Sequence, residues 1–359
     1  MALGPAPMTV SRLLQLQAAG NLPAPVRPFS LRHELRQGQA GRPRGIKAQS
    51  SAPVALWVSN TSEAYLIGVN KHGNVTRSAI DAESKDCDAP VGLKVDAKKN
   101  LWVACESSSA GSGLVQNYGD NATLAATYAQ GCPSGLSCDY WYSYGFDTAT
   151  DNAGHVFASI VLYEIETASQ FIYGTGFEWW NAAAPSSPPT LISLPSSDSV
   201  SNVDFMDVDA SGDLWFDYYG CVASGCGYGL GEITAPTTSP AFVAALAPGS
   251  IGFAGGVYVS KHGSVLNVID QDARTTSQYA LPWVPSEKPT TVLGPTLKNS
   301  AGDGDPVSGG FSKYEGQLAE GDAYGWLDIG TVSTNGWTIV TNPDFSSGIE
   351  GAAYTPSDK

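Results

Sequence analysis

Imidazole, thioether and basic charge are all scarce in this chain. Its 359 residues include four histidines and three methionines. No G-x-S-x-G elbow, H-E-x-x-H pair, P-loop or G-x-G-x-x-G turn occurs, so the usual signatures of α/β-type serine hydrolases, zinc proteases and nucleotide-binding enzymes are missing. No stretch approaches the ~18 consecutive apolar residues of a membrane-spanning helix. Lys and Arg total 19 against 34 Asp and Glu, a net charge of −15. The imbalance sharpens along the chain. Residues 1–50 hold seven basic residues and Glu34 alone among acids, a charge of +6, which leaves −21 for the rest. Such an acidic body repels phosphates, which excludes nucleic acid as a partner. The six cysteines form no C-x-x-C knuckle, which argues against a thiolate metal site.

Glycine (40) and proline (23) are plentiful and aromatics reach 10 %, which suits many short strands joined by tight turns. The stretch Pro90 to Cys105, PVGLKVDAKKNLWVAC, reads as an apolar strand, a polar turn and a second strand. The same shape returns as YGFDTATDNAGHVFAS from Tyr144, DFMDVDASGDLWFD from Asp204 and GGVYVSKHGSVLNV from Gly255, and most weakly as EGQLAEGDAYGWLDI from Glu315. Leu101, Val156, Leu214, Val265 and Tyr324 then open the second strands, at intervals of 55, 58, 51 and 59 residues. A unit of that size holds about four short strands, one blade of a β-propeller.

The chain ends carry a split copy. Ala55 to Asn60, ALWVSN, matches the second half of the hairpin, and Ile349 to Lys359, IEGAAYTPSDK, matches the first half and turn. Unpaired sheet edges are a liability, and pairing the two ends closes a ring. The expectation is an all-β, six-bladed β-propeller of four-stranded blades over residues 51–359, its ring closed by the terminal segments. Residues 1–50 read as a poorly ordered basic arm or leader.

Two cysteine pairs are local, Cys132/Cys138 in CPSGLSC and Cys221/Cys226 in CVASGC, and disulfides are expected at both, with Cys87 and Cys105 paired by elimination. Disulfides imply an oxidising compartment: secreted, periplasmic or cell surface, although no clear signal peptide is seen.

The repeat accounts for most chemically suggestive residues. His72, His155 and His262 fall at hairpin turns beside glycine, and His33 lies in the arm. Asp96, Asp151 and Asp209 share one turn position, which suits backbone capping. Trp57, Trp102 and Trp215 share another, with Trp326 nearby, which suits core packing. Two sets lie off the repeat. Tyr140, Trp141, Tyr142, Trp179 and Trp180 are taken as loop aromatics able to stack on a sugar or a partner side chain. Asp147, Asp204, Asp207, Glu315 and Glu350 are taken as carboxylates at the starts of first strands, where they would converge on one mouth of the central channel. Without a basic partner they would suit a divalent cation such as calcium.

The phrase PVGLKVDAKKNLWVAC resembles the NHL-type repeat and the gluconolactonase/regucalcin-like and strictosidine-synthase-like six-bladed propellers. That resemblance implies the propeller fold over most of residues 53–359. In the lactonase-like family a Glu at the start of an inner strand helps hold a divalent metal, and Ile349-Glu350-Gly351 resembles that element. The family's Asn and Asp ligands find no match, since Val91-Gly92 stands where a polar pair is often seen. The functional expectation is therefore an exported, non-enzymatic ligand-binding or scaffold propeller, with a protein, carbohydrate or small molecule as partner. The alternative is a divalent-metal-dependent lactonase-like hydrolase with its site at the channel mouth.

Overall fold

The computed structural model describes residues 54–354 except 62–63, 71–73, 77–79, 107–112, 120–121, 168–170, 195–199, 224, 261–262, 285–287, 299–301, 303, 312–315, 323–324 and 341–348. Twenty-four strands form six four-stranded antiparallel sheets. Blade 1 comprises β1 (Leu56–Asn60), β2 (Tyr65–Val69) and β3 (Ile80–Asp81), with β24 (Ile349–Tyr354) from the other end of the chain. Blade 2 runs through β4 (Pro90–Val95), β5 (Leu101–Cys105), β6 (Leu114–Tyr118) and β7 (Leu124–Ala129). Blade 3 is β8 (Tyr140–Thr150), β9 (His155–Glu166), β10 (Phe171–Asn181) and β11 (Thr190–Ser193). Blade 4 is β12 (Val200–Val208), β13 (Leu214–Val222), β14 (Gly225–Thr234) and β15 (Ala241–Ile251). Blade 5 is β16 (Ala254–Ser260), β17 (Val265–Asp270), β18 (Thr275–Ala280) and β19 (Thr291–Leu293). Blade 6 is β20 (Pro306–Phe311), β21 (Gln317–Asp322), β22 (Leu327–Thr331) and β23 (Gly336–Val340).

The ring closes as the split hairpin requires. In β24, Tyr354 faces Leu56, Ala352 faces Val58 and Gly351 faces Ser59 of β1. The inner strands β24, β4, β8, β12, β16 and β20 neighbour one another in that order, and β20 returns to β24. Apolar faces of successive blades form the core, as where Leu93, Leu101 and Val103 of blade 2 meet Trp57 and Leu66 of blade 1.

The turn reading of the aspartates holds at the atomic level. Asp96 Oδ1 accepts the Lys98 and Asn100 amides, and its Oδ2 accepts the Trp102 indole N–H at 3.1 Å. Asp209 treats Ser211, Asp213 and the Trp215 indole in the same way. One carboxylate thus ties the turn of each hairpin to its core tryptophan. In blade 3 Phe157 stands at the tryptophan position, and His155, at the position of Asn100, puts Nδ1 2.6 Å from Asp151 Oδ2. His33, His72 and His262 lie outside the described residues.

All three disulfides form as expected, Cys87–Cys105, Cys132–Cys138 and Cys221–Cys226. Three sequence expectations need correction. The last repeat copy is displaced by one strand: QLAEGD is the second strand of blade 6 and LDIGT its third, while the inner strand is β20, upstream of the copy that began at Glu315. The sequence PVSGGF is so rich in small residues that its strand character comes from packing between β16 and β24. Tyr324 lies outside the described residues. Tyr140, Trp141 and Tyr142, expected in a loop, belong to β8. Trp179 and Trp180 likewise lie in β10, not in a loop.

Candidate functional site

The inner strands carry polar side chains where an apolar alternation would be the default. Asp147 of β8 is fully buried. Its Oδ2 accepts the Met206 amide of β12 at 2.9 Å, and its Oδ1 accepts the Thr148 amide. Asp207 of β12 repeats the motif one blade on: Oδ2 accepts the Val259 amide of β16 at 2.8 Å. Among the described residues no backbone ladder joins separate blades, so these carboxylates supply bonds between neighbouring inner strands. Ser59 and Ser159 do the same work with hydroxyls, donating to Val91 O and Asp204 O of the next blade.

Lys94 of β4 lies between the two aspartates. Its Nζ is 3.8 Å from Asp147 Oδ2 and 3.7 Å from Asp207 Oδ2, and it is largely buried. Burial opposes its charge, but Asp207 and Asp147 outweigh that cost and hold the ammonium charged. Burial pushes the Asp147 carboxyl up to about 6 against the pull of Lys94. The same register explains Gly92: a Cβ there would lie 1.8 Å from Asp147 Oδ1. The space a side chain would take at position 92 is filled by Asp147 from the next blade.

Beside these groups lies a second buried pair. Asp204 Oδ1 accepts the Asn202 amide at 2.7 Å, and Asp217 Oδ1 accepts the Phe205 amide at 2.9 Å. Burial raises Asp204 to about 7; burial and then the charge of Asp204 push Asp217 well above the carboxylate range. The two share a site that favours protons over charge.

Phe146, Phe205, Val91 and Val307, from four inner strands, meet in one apolar cluster that plugs the channel. The Phe146 and Phe205 rings pack edge to face at 5.0 Å. Toward the strand C-termini the channel opens into a cavity of about 780 Å³, bordered by Lys94, Asp207, Tyr258 and Tyr354 and continuing into the crevice between blades 2 and 3, beside Tyr128 and His155.

Of the five expected carboxylates, Asp147 and Asp207 meet at Lys94, and Asp204 lies nearby with Asp217. Asp147 and Asp204 stand within their strands and Asp207 one residue from the end of β12, none of them at a strand start. Glu315 lies outside the described residues, as does the side chain of Glu350, whose backbone is the second residue of β24. Among the described residues no three His, Cys, Asp or Glu side chains are grouped to hold a metal ion. The expected absence of a basic partner is corrected by Lys94.

Of the aromatic set, Trp141 stacks on Tyr163 with centroids 6.1 Å apart, Trp179 meets the His155 ring at 5.1 Å, and Trp180 is buried against Tyr128. Tyr140 and Tyr142 are partly exposed along β8.

Sequence reasoning missed Lys94, Asp217, Glu178, Glu320 and Asp328. A signal existed for some of them. Lys94 stands two residues before the capping Asp96, the place Asp207 holds before Asp209, and Asp217 interrupts the apolar run LWFDYYG.

No family model matches the chain, and no curated protein matches it in sequence. Solved structures do match in shape. A chain of a nidogen/laminin complex superposes with a TM-score of 0.57 at 11% identity, covering 84% of this chain and 98% of that one. A functionally unknown protein from Desulfotomaculum acetoxidans DSM 771 gives 0.48 at 12% identity, over 86% of this chain and 100% of its own. The Dos1 propeller gives 0.42 at 11% identity, over 80% and 68%. At these identities the likeness concerns the fold alone.

Proposed function

We propose that the chain is an exported ligand-binding propeller of the NHL type that takes a small polar molecule at the channel mouth. The observation that carries the reading is the cavity of about 780 Å³ with the Lys94 ammonium on its wall. That volume falls within the ~300–1,000 Å³ of small-molecule sites. Lys94 is already oriented by Asp147 and Asp207, so a ligand acceptor would meet it without reordering a flexible side chain. Tyr258 and Tyr354 add aromatic bodies on the same rim, and the disulfides support export.

A metal-dependent lactonase would need a cation among Asp147, Asp204 and Asp207, where Lys94 supplies positive charge already. A thermal-shift screen of saccharides, carboxylic acids and divalent chlorides, repeated with Lys94→Ala and Asp207→Ala, tests the reading. The expected result is a stabilising saccharide or acid whose effect both substitutions remove, with no lactone turnover. Turnover of a lactone that depends on an added divalent ion would replace this reading with the hydrolase.

A further inference from the structure

Buried polar groups in a folded chain are almost always bonded, so one that is not asks for a missing partner. The seam between blades 5 and 6 gathers several. Glu320 and Asp322 of β21 and Asp328 of β22 are all fully buried. Glu320 stands directly opposite Asp328 in the β21–β22 ladder. Asp322, two residues on, shares the face of Glu320. Opposed residues of an antiparallel pair have Cβ atoms about 4.5–5.5 Å apart, where like charges repel. Leu318, on the same face, packs against Tyr258, Ile269 and Leu293 of blade 5, so the acids face that blade.

Thr276 of β18 reaches across the seam to donate to Glu320 Oε1. Glu320 Oε2 and both Asp328 oxygens accept no hydrogen bond of normal geometry. Asp147 differs, since its oxygens take two amides beside Lys94. Two neutral oxygens of blade 5 are buried and open as well, Gln271 Oε1 and Thr296 Oγ1. Gln271 lies against Gly255 beside Pro306, and Pro306 faces Asp322 in the blade 6 ladder. Arg274 is the basic group that acts on Asp328, but its Nη1 donates to the Thr296 carbonyl. Burial and the charges of Asp322 and Glu320 outweigh Arg274 and the Trp326 indole at Asp328.

We propose that this seam holds a hard divalent cation of the calcium class, with Glu320 and Asp328 as its anionic ligands. The open atoms are all oxygens, which suits calcium rather than a softer metal. The three acids are not grouped to share one ion, so Asp322 acts through its charge. Neutral oxygens then complete the ~6–8 that calcium takes. None of the three acids borders the channel-mouth cavity, so the site is separate from the one proposed above. An ion there would clamp blade 6 to blade 5, which no backbone ladder joins among the described residues.

Calorimetry of the chelator-treated full chain with added calcium chloride tests the site. Tm should climb with the logarithm of calcium concentration. Glu320→Gln and Asp328→Asn keep the side-chain shape and remove one charge each. Without calcium each variant should melt at or above the wild type, because a repulsion is gone. With calcium each should melt below it. If the variants do not fold, terbium luminescence of the wild type decides: the ion should be sensitised through Trp326, beside Asp328, and displaced by calcium. A wild-type Tm indifferent to calcium, a calcium response kept in full by folded Glu320→Gln and Asp328→Asn, or no terbium emission that calcium displaces would each overturn the proposal and leave protons to neutralise the seam.

Discussion

The side chains that set this protein apart are its buried carboxyls. Asp204 and Glu320 are raised to about 7 and Asp328 to about 9, each mainly by burial; like charges nearby add to it at Glu320 and Asp328. An unfolded carboxyl titrates near ~4. The folded chain therefore binds more protons than the unfolded chain between pH ~4 and ~9, and its stability falls as pH rises through that window. Below pH ~4 both states are protonated at these sites and their contribution is flat. Melting followed by calorimetry should give a higher Tm at pH 5 than at pH 8, and Asp328→Asn should flatten the upper part of that decline. A Tm that climbs from pH 5 to pH 8 would contradict these assignments. Position 92 offers a steric test at the same scale. Gly92→Ala puts a methyl into the Asp147 carboxylate, so denaturant unfolding should show a loss of at least ~1–3 kcal/mol, as overpacking does elsewhere.

Among the elements, the disulfides differ in what they constrain. Cys87–Cys105 spans 18 residues and ties the segment before β4 to β5. The other two span 6 and 5. Chain-entropy reasoning gives ~3 kcal/mol for a loop of about 15 residues and less for shorter ones. Replacing Cys87 and Cys105 together by Ser should lower the unfolding midpoint most, and replacing Cys221 and Cys226 should lower it least. Equal losses across the pairs would show that strain or packing, not loop closure, sets their worth.

For the whole molecule, closure is a single event that every blade depends on. β24 pairs with β1 and packs against β4 and β20. A chain ending before Ile349 loses the inner strand of blade 1 and leaves the ring open on both sides. Its thermal unfolding should broaden and lose cooperativity by calorimetry; a melt matching that of the full chain would show that the terminal strand is dispensable. The channel plug of Phe146, Phe205, Val91 and Val307 draws on four blades, so an open ring should loosen the floor of the candidate site as well.

The sequence by itself determined the ring. Alternation about polar turns, a unit spaced by 51 to 58 residues over its first four copies and a hairpin divided between the ends are local or periodic signals, and they specify blade number, closure and the capping role of Asp96 and Asp209. The disulfide pairing was legible for the same reason, since two pairs are close in sequence. The last blade was misplaced because glycine and serine in PVSGGF leave β20 without a strand signature of its own. Only the tertiary structure decided what the polar residues of the inner strands do. Lys94, Asp147 and Asp207 sit on three different strands, and Asp217 meets Asp204 across a hairpin. No spacing along the chain encodes those distances, because they arise from how six separate sheets lean on one axis.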